Sequence, residues 1–277
     1  MTESAPTMNF GNLFGVEGKV VLVTGGGGGI GRGIAGAFVW GGARVYIASR
    51  SDLSAAAKEL DAEGAGECIA LRADLSKEED IKRLAAELAE REGKLDVLVN
   101  NAAIGAEYAF EEFPADAWDQ ELAVNLRGPF ALMQACLPLL TTAGESGSHA
   151  SVINITSVDG VRIIQDDGWA YAPSKAALIH LTRTCAARLG NRGGRKGGRN
   201  ITFNALVPGP FPGMLDEFLK TDEGRAAVAS FTVVGRVGKP EDIGAACLYL
   251  ASRAGAFVTG AALPVDGGLL VGRSVNG

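Results

Sequence analysis

The chain has 277 residues, 47% of them hydrophobic and 21% charged, with a net charge of −6. That balance suits a soluble globular protein with a sizeable core and argues against nucleic acid as a main partner, which would need a basic face. No stretch approaches the ~20 apolar residues that cross a bilayer, and the opening MTESAPTMNFGNLFG has neither the basic nor the apolar segment of a secretory signal.

Four cysteines, Cys68, Cys136, Cys185 and Cys247, lie far apart and match no zinc or CxxC spacing, so they read as free thiols in a reducing, cytoplasmic compartment. The two histidines, His149 and His180, are too few for a histidine-rich metal site, and no metal is expected. A Ser-His-Asp hydrolase would have to use one of them. His149 lies in the polar loop ESGSHAS and is expected at the surface; His180 lies in an Ala/Leu helix and is expected to pack.

Along the chain, residues 1–15 read as a loose arm and 16–277 as a single domain. Strands are predicted at 19–25, 43–49, 68–75, 95–101, 151–157, 201–209 and 260–268. Helices are predicted near 30–41, 52–64, 77–92, 115–140, 170–189 and 240–253. Several strands are apolar on consecutive residues, as strands buried on both faces of a parallel sheet are. The alternation of strand and helix predicts an α/β fold: a doubly wound, seven-stranded parallel sheet with helices on both faces. The glycine-rich stretch 190–200, with Arg192, Arg195, Lys196 and Arg199, reads as a solvated loop; a docking patch for an acidic partner is its functional alternative.

VTGGGGGIGRG (23–33) follows the first strand and opens the first helix. Glycines there allow a tight turn and bring backbone N–H groups close to a pyrophosphate at the helix N-terminus, which makes Gly25, Gly28, Gly29, Ile30 and Gly31 candidate dinucleotide contacts. No GK[ST] follows, so it is not a P-loop. The second strand ends in IASRSD, which puts Ser49 and Arg50 where a 2′-phosphate would be held and points to NADP(H); Asp52, two residues on, competes with that reading.

WAYAPSK (169–175) spaces Tyr171 and Lys175 one helical turn apart on one face. A tyrosine titrates near pH 10, and a neighbouring cation should lower that value toward neutrality.

TGGGGGIG, NNAA (100–103), VNL (124–126), ITSVDG (155–160), YAPSK and NALVPG (204–209) stand in the order of the short-chain dehydrogenase/reductases. The resemblance covers about residues 16–271 and is most like the 3-oxoacyl-(acyl carrier protein) reductases, in particular the branch associated with rhamnolipid precursors. It implies that Tyr171 protonates the carbonyl oxygen, that Lys175 lowers the Tyr171 pKa and holds the nicotinamide ribose, and that Ser157 stabilises the developing oxyanion. Asn125 would bend its helix and position a water. Asp74 and Leu75 would lie against the adenine, Asn100 near its ribose, and Pro208, Gly209 and Phe211 near the nicotinamide.

Three departures from the pattern stand out. Ser157 lies 14 residues before Tyr171, one more than the common family spacing, so the intervening loop must bulge. Ala103 replaces a frequent glycine, and PFPGML lacks a threonine that many members place near the nicotinamide amide. The substrate site is expected between residues 160–169 and the segment after Pro210, where Phe211, Met214, Leu215, Phe218 and Leu219 suggest an acyl chain. Asp166 and Asp167 suit a neutral or polyol substrate better. The resemblance thus implies an NADPH-dependent reductase of a small-molecule ketone, a 3-oxoacyl thioester or a related apolar carbonyl compound, with an NAD-linked alcohol or polyol dehydrogenase as the alternative. It also implies a homotetramer built on the helices near 115–140 and 170–189.

Overall fold

The computed structural model describes residues 9–146, 149–164, 168–190, 200–213 and 215–272. In chain order the elements are α1 (Phe10–Phe14), β1 (Val20–Thr24), α2 (Gly29–Trp40), β2 (Arg44–Ser49), α3 (Ser54–Asp61), β3 (Glu67–Arg72), α4 (Glu78–Glu92) and β4 (Val97–Asn100). After them come α5 (Ala115–Leu122), a π turn (Ala123–Arg127), α6 (Gly128–Glu145), β5 (Ala150–Ile155), α7 (Tyr171–Leu189), β6 (Ile201–Pro208), α8 (Asp222–Ser230), α9 (Pro240–Ala251) and β7 (Ala262–Val265).

The strands form one seven-stranded sheet in the order β3-β2-β1-β4-β5-β6-β7, and every pairing is parallel. Successive side chains of β1 enter opposite cores. Leu22 joins Tyr46, Leu98, Val152 and Phe203 under α4 and α6. Val21 and Val23 join Ile47, Val99 and Ile153 under α2 and α9. Each such fully buried aliphatic side chain contributes about 1.5–3 kcal/mol, which is why these strands are apolar on every residue rather than on alternate ones.

The structure departs from the sequence expectations in several places. Phe10–Phe14, inside the segment read as an arm, form a short helix capped by Asn9, whose Oδ1 accepts the Asn12 N–H at 2.8 Å. The helix expected over 115–140 is broken by the π turn around Asn125, where the resemblance implied a bend. α8 falls where no helix was expected, although Thr221 caps it by accepting the Gly224 N–H at 3.0 Å and Asp222 and Glu223 occupy its first turn. The histidine placements are reversed. His149 is buried, with Nε2 3.5 Å from the Leu250 carbonyl oxygen, whereas His180 is exposed. All four cysteines are free and buried. The basic stretch from 191 to 199 lies outside the described residues.

Candidate active site

Where β1 and β4 lie side by side, the chain leaves the sheet in opposite directions, and this switch point opens a crevice at the carboxyl ends of the strands. Asn101 fixes the geometry there. Its side-chain amide donates to the Thr24 carbonyl at 2.9 Å, and its backbone N–H donates to Thr24 Oγ1 at 3.0 Å. The turn after β1 needs glycine at Gly25, which has φ +66°. At Gly31 a Cβ would overlap the Gly25 carbonyl and come within 2.5 Å of Asn101 Nδ2, so α2 can approach β1 only with hydrogen at that place. At Gly28 the same atom would meet nothing within 4 Å, because the backbone there faces the open cavity. The start of α2 therefore offers bare N–H groups to an anion, which suits a pyrophosphate.

The cavity measures about 980 Å³ and runs from this glycine turn to the start of α7. At one end stand Ser49, Arg50, Asp74 and Leu75. The Arg50 side chain is exposed, and its carbonyl accepts the Arg72 Nε–H at 2.9 Å. Asp52 does not compete for the same place. Its Oδ1 accepts the Ser54 N–H at 2.9 Å and the Ser54 hydroxyl at 2.6 Å, which turns it to the start of α3. Asp74 holds Ser76 in the same way, at 3.0 and 2.7 Å. Burial raises the Asp74 pKa, but the two Ser76 hydrogen bonds outweigh it and leave the carboxyl below its ordinary value. Pro208, Gly209 and Phe211 line the middle of the cavity.

At the other end Ser157, Tyr171 and Lys175 meet, all of them buried. The Tyr171 hydroxyl faces Ser157, which favours its ionised form. Lys175 Nζ donates to the Ile155 carbonyl at 3.0 Å and lies 5.4 Å from the centre of the Tyr171 ring. Burial holds the Lys175 amine down at about 8. The expected lowering of the Tyr171 pKa is not found. Burial pushes the phenol up to about 12, with Asp159 and Glu121 adding to the rise and Ser157 opposing it.

Two of the expected residues lie off the cavity wall. The Asn100 side chain turns into the sheet, where Nδ2 donates to Asn154 Oδ1 at 2.8 Å; Asn101 takes its place on the wall. Asn125, buried in the π turn, accepts the Ile104 N–H at 2.9 Å and donates to the Ile104 carbonyl at 2.8 Å and to Ser174 Oγ at 3.2 Å. A π turn bulges a helix by one residue, and here it aims Asn125 at the loop after β4.

Ile164, Phe211, Leu215, Val228 and Phe231 supply apolar wall. Phe218, expected there, is 65% exposed. Trp169 rests on Phe110, with ring centres 4.9 Å apart. Met214, Asp166 and Asp167 lie outside the described residues.

Glu121 escaped the sequence reading because it stands in a polar helix face, DAWDQEL, that gives no sign of burial. It is 1% exposed; Oε1 accepts the Ala106 N–H at 2.9 Å, and Oε2 has no hydrogen-bond partner among the described residues. Burial raises its carboxyl pKa above the ordinary 4.5. An acid with a raised folded pKa binds more protons when folded, so folding loses stability as pH climbs from the unfolded value through the folded one. Glu121→Gln keeps an acceptor for Ala106 and removes the charge. Its Tm should exceed that of the wild type by roughly 2–4 °C at pH 8, with the gap closing toward pH 4; a pH-independent gap would refute the assignment.

A doubly wound sheet with a glycine turn at its switch point, and a buried Ser, Tyr and Lys opposite, defines a dinucleotide-dependent oxidoreductase class. A family model described as Enoyl-(Acyl carrier protein) reductase matches residues 25–270, and the chain belongs to the short-chain dehydrogenase/reductase family. It is 38% identical over 256 residues to the rhamnolipids biosynthesis 3-oxoacyl-[acyl-carrier-protein] reductase of Pseudomonas aeruginosa, covering 92% of this chain and 97% of the relative. It is 35% identical over 262 residues to an L-rhamnose 1-dehydrogenase (NAD(P)(+)) of a Sphingomonas species, covering 92% and 98%. A solved Pseudomonas aeruginosa RhlG/NADP active-site complex superposes with a TM-score of 0.87 at 37% identity, over 94% of this chain and 99% of that one.

Proposed function

We propose that this chain reduces a ketone to a secondary alcohol with NADPH, with Tyr171 as the proton donor, and that the ketone is a 3-oxoacyl thioester or a related apolar carbonyl compound. The observation that carries the reading is the convergence of Ser157, Tyr171 and Lys175 at one end of a cavity whose other end is the glycine turn and Arg50. The Pseudomonas reductase, named for 3-oxoacyl reduction and solved with NADP, supports the substrate class and the cofactor.

The α2 N-terminus would hold the pyrophosphate, Arg50 and Ser49 the 2′-phosphate, and Lys175 the nicotinamide ribose. The cofactor supplies the hydride. Ser157 donates a hydrogen bond to the carbonyl oxygen, and Tyr171 gives that oxygen its proton as negative charge develops. The high phenol pKa keeps Tyr171 protonated at neutral pH, which suits an acid. The Lys175 ammonium stabilises the phenolate left behind. Asn125 holds the wall at Ile104 from behind. The apolar wall from Ile164 to Phe231 takes the acyl chain.

Lys175 must be charged for this role, and its amine loses its proton near pH 8. The kcat/KM for reduction should therefore fall as pH rises through about 8; a profile flat to pH 10 would show that its charge is not needed.

Initial rates with NADPH and with NADH on acetoacetyl-CoA test the proposal. Turnover with NADPH supports it. No turnover, with tight NADPH binding, would retain the cofactor and reject the thioester. A preference for NADH would replace the reading with an NAD-linked alcohol or polyol dehydrogenase, the activity class in the Sphingomonas relative's name.

The free cysteines suit a cytoplasmic setting. Among the described residues no helix is long and apolar enough to cross a membrane. A homotetramer is proposed through the outer faces of α5–α6 and α7, where Phe130 is 48% exposed; light scattering that gives a monomer would exclude it.

A further inference from the structure

Asp159 lies two residues after Ser157, and the proton-transfer reading gives it no part. It is buried on the cavity wall, and among the described residues it meets Ser157 and Ile164. Its backbone N–H donates to Ser157 Oγ at 3.1 Å. The Ser157 hydroxyl faces Asp159 Oδ2 at 3.4 Å. Its other oxygen, Oδ1, accepts the Ile164 N–H at 2.9 Å. One residue thus ties Ser157 Oγ, through its backbone N–H, to the far end of the 158–164 segment, through its carboxylate.

Val158 anchors the start of that segment in the core beside Ile179 and Val207, but beyond it Val161 is 57% and Ile163 72% exposed. On its inner side Gly160 lies flat against α7, where a Cβ would come 2.8 Å from the Lys175 carbonyl carbon. The segment is therefore pressed onto the helix that carries Tyr171 and Lys175, and Asp159 braces it between Ser157 and Ile164. Burying a carboxylate is costly unless donors surround it; here the Ile164 N–H donates to it, and the Ser157 hydroxyl lies 3.4 Å away, free to turn to a carbonyl oxygen once substrate is bound.

We propose that Asp159 is a positioning residue: it locks the Ser157 hydroxyl and the Ile164 wall into one unit, so that Ser157 faces Tyr171 and the substrate side of the cavity keeps its shape. The proposal rests on the reading of Ser157 and Tyr171 as the reacting pair. A hydroxyl displaced by about 1 Å costs roughly 100-fold in rate.

The test is kcat for acetoacetyl-CoA reduction set beside NADPH affinity from fluorescence titration. Asp159→Ala should lower kcat roughly 10- to 100-fold and leave the NADPH Kd unchanged. Asp159→Asn keeps a carbonyl oxygen for Ile164 and should recover to within about threefold of wild type. Ile164→Pro removes the same N–H without touching Asp159. It should reproduce the loss, and the double variant Asp159→Ala/Ile164→Pro should lose no more than either alone. Asp159→Ala with wild-type kcat, or with kcat and NADPH binding lost together, overturns the proposal; so does Asp159→Asn as slow as Asp159→Ala. Should Asp159→Ala not fold, wild-type kcat in Ile164→Pro overturns it. Activity in a parallel Tyr171→Phe variant would mark instead the failure of the catalytic reading itself.

Discussion

Replacing Tyr171 with phenylalanine is expected to lower kcat for ketone reduction by at least about a thousandfold while NADPH affinity changes by less than about twofold. The ring is buried and packs at the start of α7, so phenylalanine fills the same volume. Only the hydroxyl, which faces Ser157, is lost. Removing a hydroxyl at a buried site costs about 1 kcal/mol in stability, which leaves the fold intact and makes the rate the informative quantity. Ser157 and Lys175 keep their places: Ser157 is held by Asp159, and Lys175 by the Ile155 carbonyl. The residual rate of the variant therefore measures what hydride positioning achieves without an acid. A variant that retains more than about a tenth of the activity would show that the proton comes from another source, and the function proposed for Tyr171 would fall.

The second large effect concerns cofactor choice. Arg50→Asp should raise the KM for NADPH by roughly 100-fold and bring the KM for NADH to or below it. Arg50 stands exposed at the end of β2, on the cavity rim, where a guanidinium can form paired hydrogen bonds to a phosphate. The nearest acid in sequence, Asp52, is engaged with Ser54, so the charges on the rim are Arg50 and Asp74. An aspartate at position 50 would repel a 2′-phosphate and accept hydrogen bonds from ribose hydroxyls instead. Initial-rate kinetics with both cofactors decide the matter: an unchanged KM for NADPH would mean that another group, with Arg72 the first to examine, holds the phosphate.

The sheet was legible because each strand is a short apolar run and each crossover a helix, so all seven strands lie within a few residues of their expected places. The cofactor end of the site was equally legible, since a glycine turn between strand and helix has few other uses. What the sequence concealed was side-chain direction. NNAA does not say which asparagine faces the cavity, and register on β4 decides for Asn101. In the helix over 115–140, Gly128 and Pro129 follow the π turn directly, but they do not say that the break takes the form of a bulge at Asn125. Burial of single polar residues was hidden for the same reason. His149 lies in a polar loop yet packs under α9, Glu121 stands among solvated neighbours, and Asp159 resembles an ordinary turn residue. α8 was missed because its apolar residues are alanines and one valine, although its cap and acidic first turn were there to read.

The order of the strands also bears on how the molecule comes into being. β1, the first strand made, lies inside the sheet, and Val21 pairs with Val97, a residue synthesised only after two further strands and three helices. No neighbouring pair in this sheet joins through a tight hairpin, so each must close a long loop before it gains a hydrogen bond. Assembly should therefore be slow, and an emerging chain should expose apolar strand edges until β4 and β5 arrive. The half that forms the glycine turn is complete before the half that carries Ser157, Tyr171 and Lys175 leaves the ribosome.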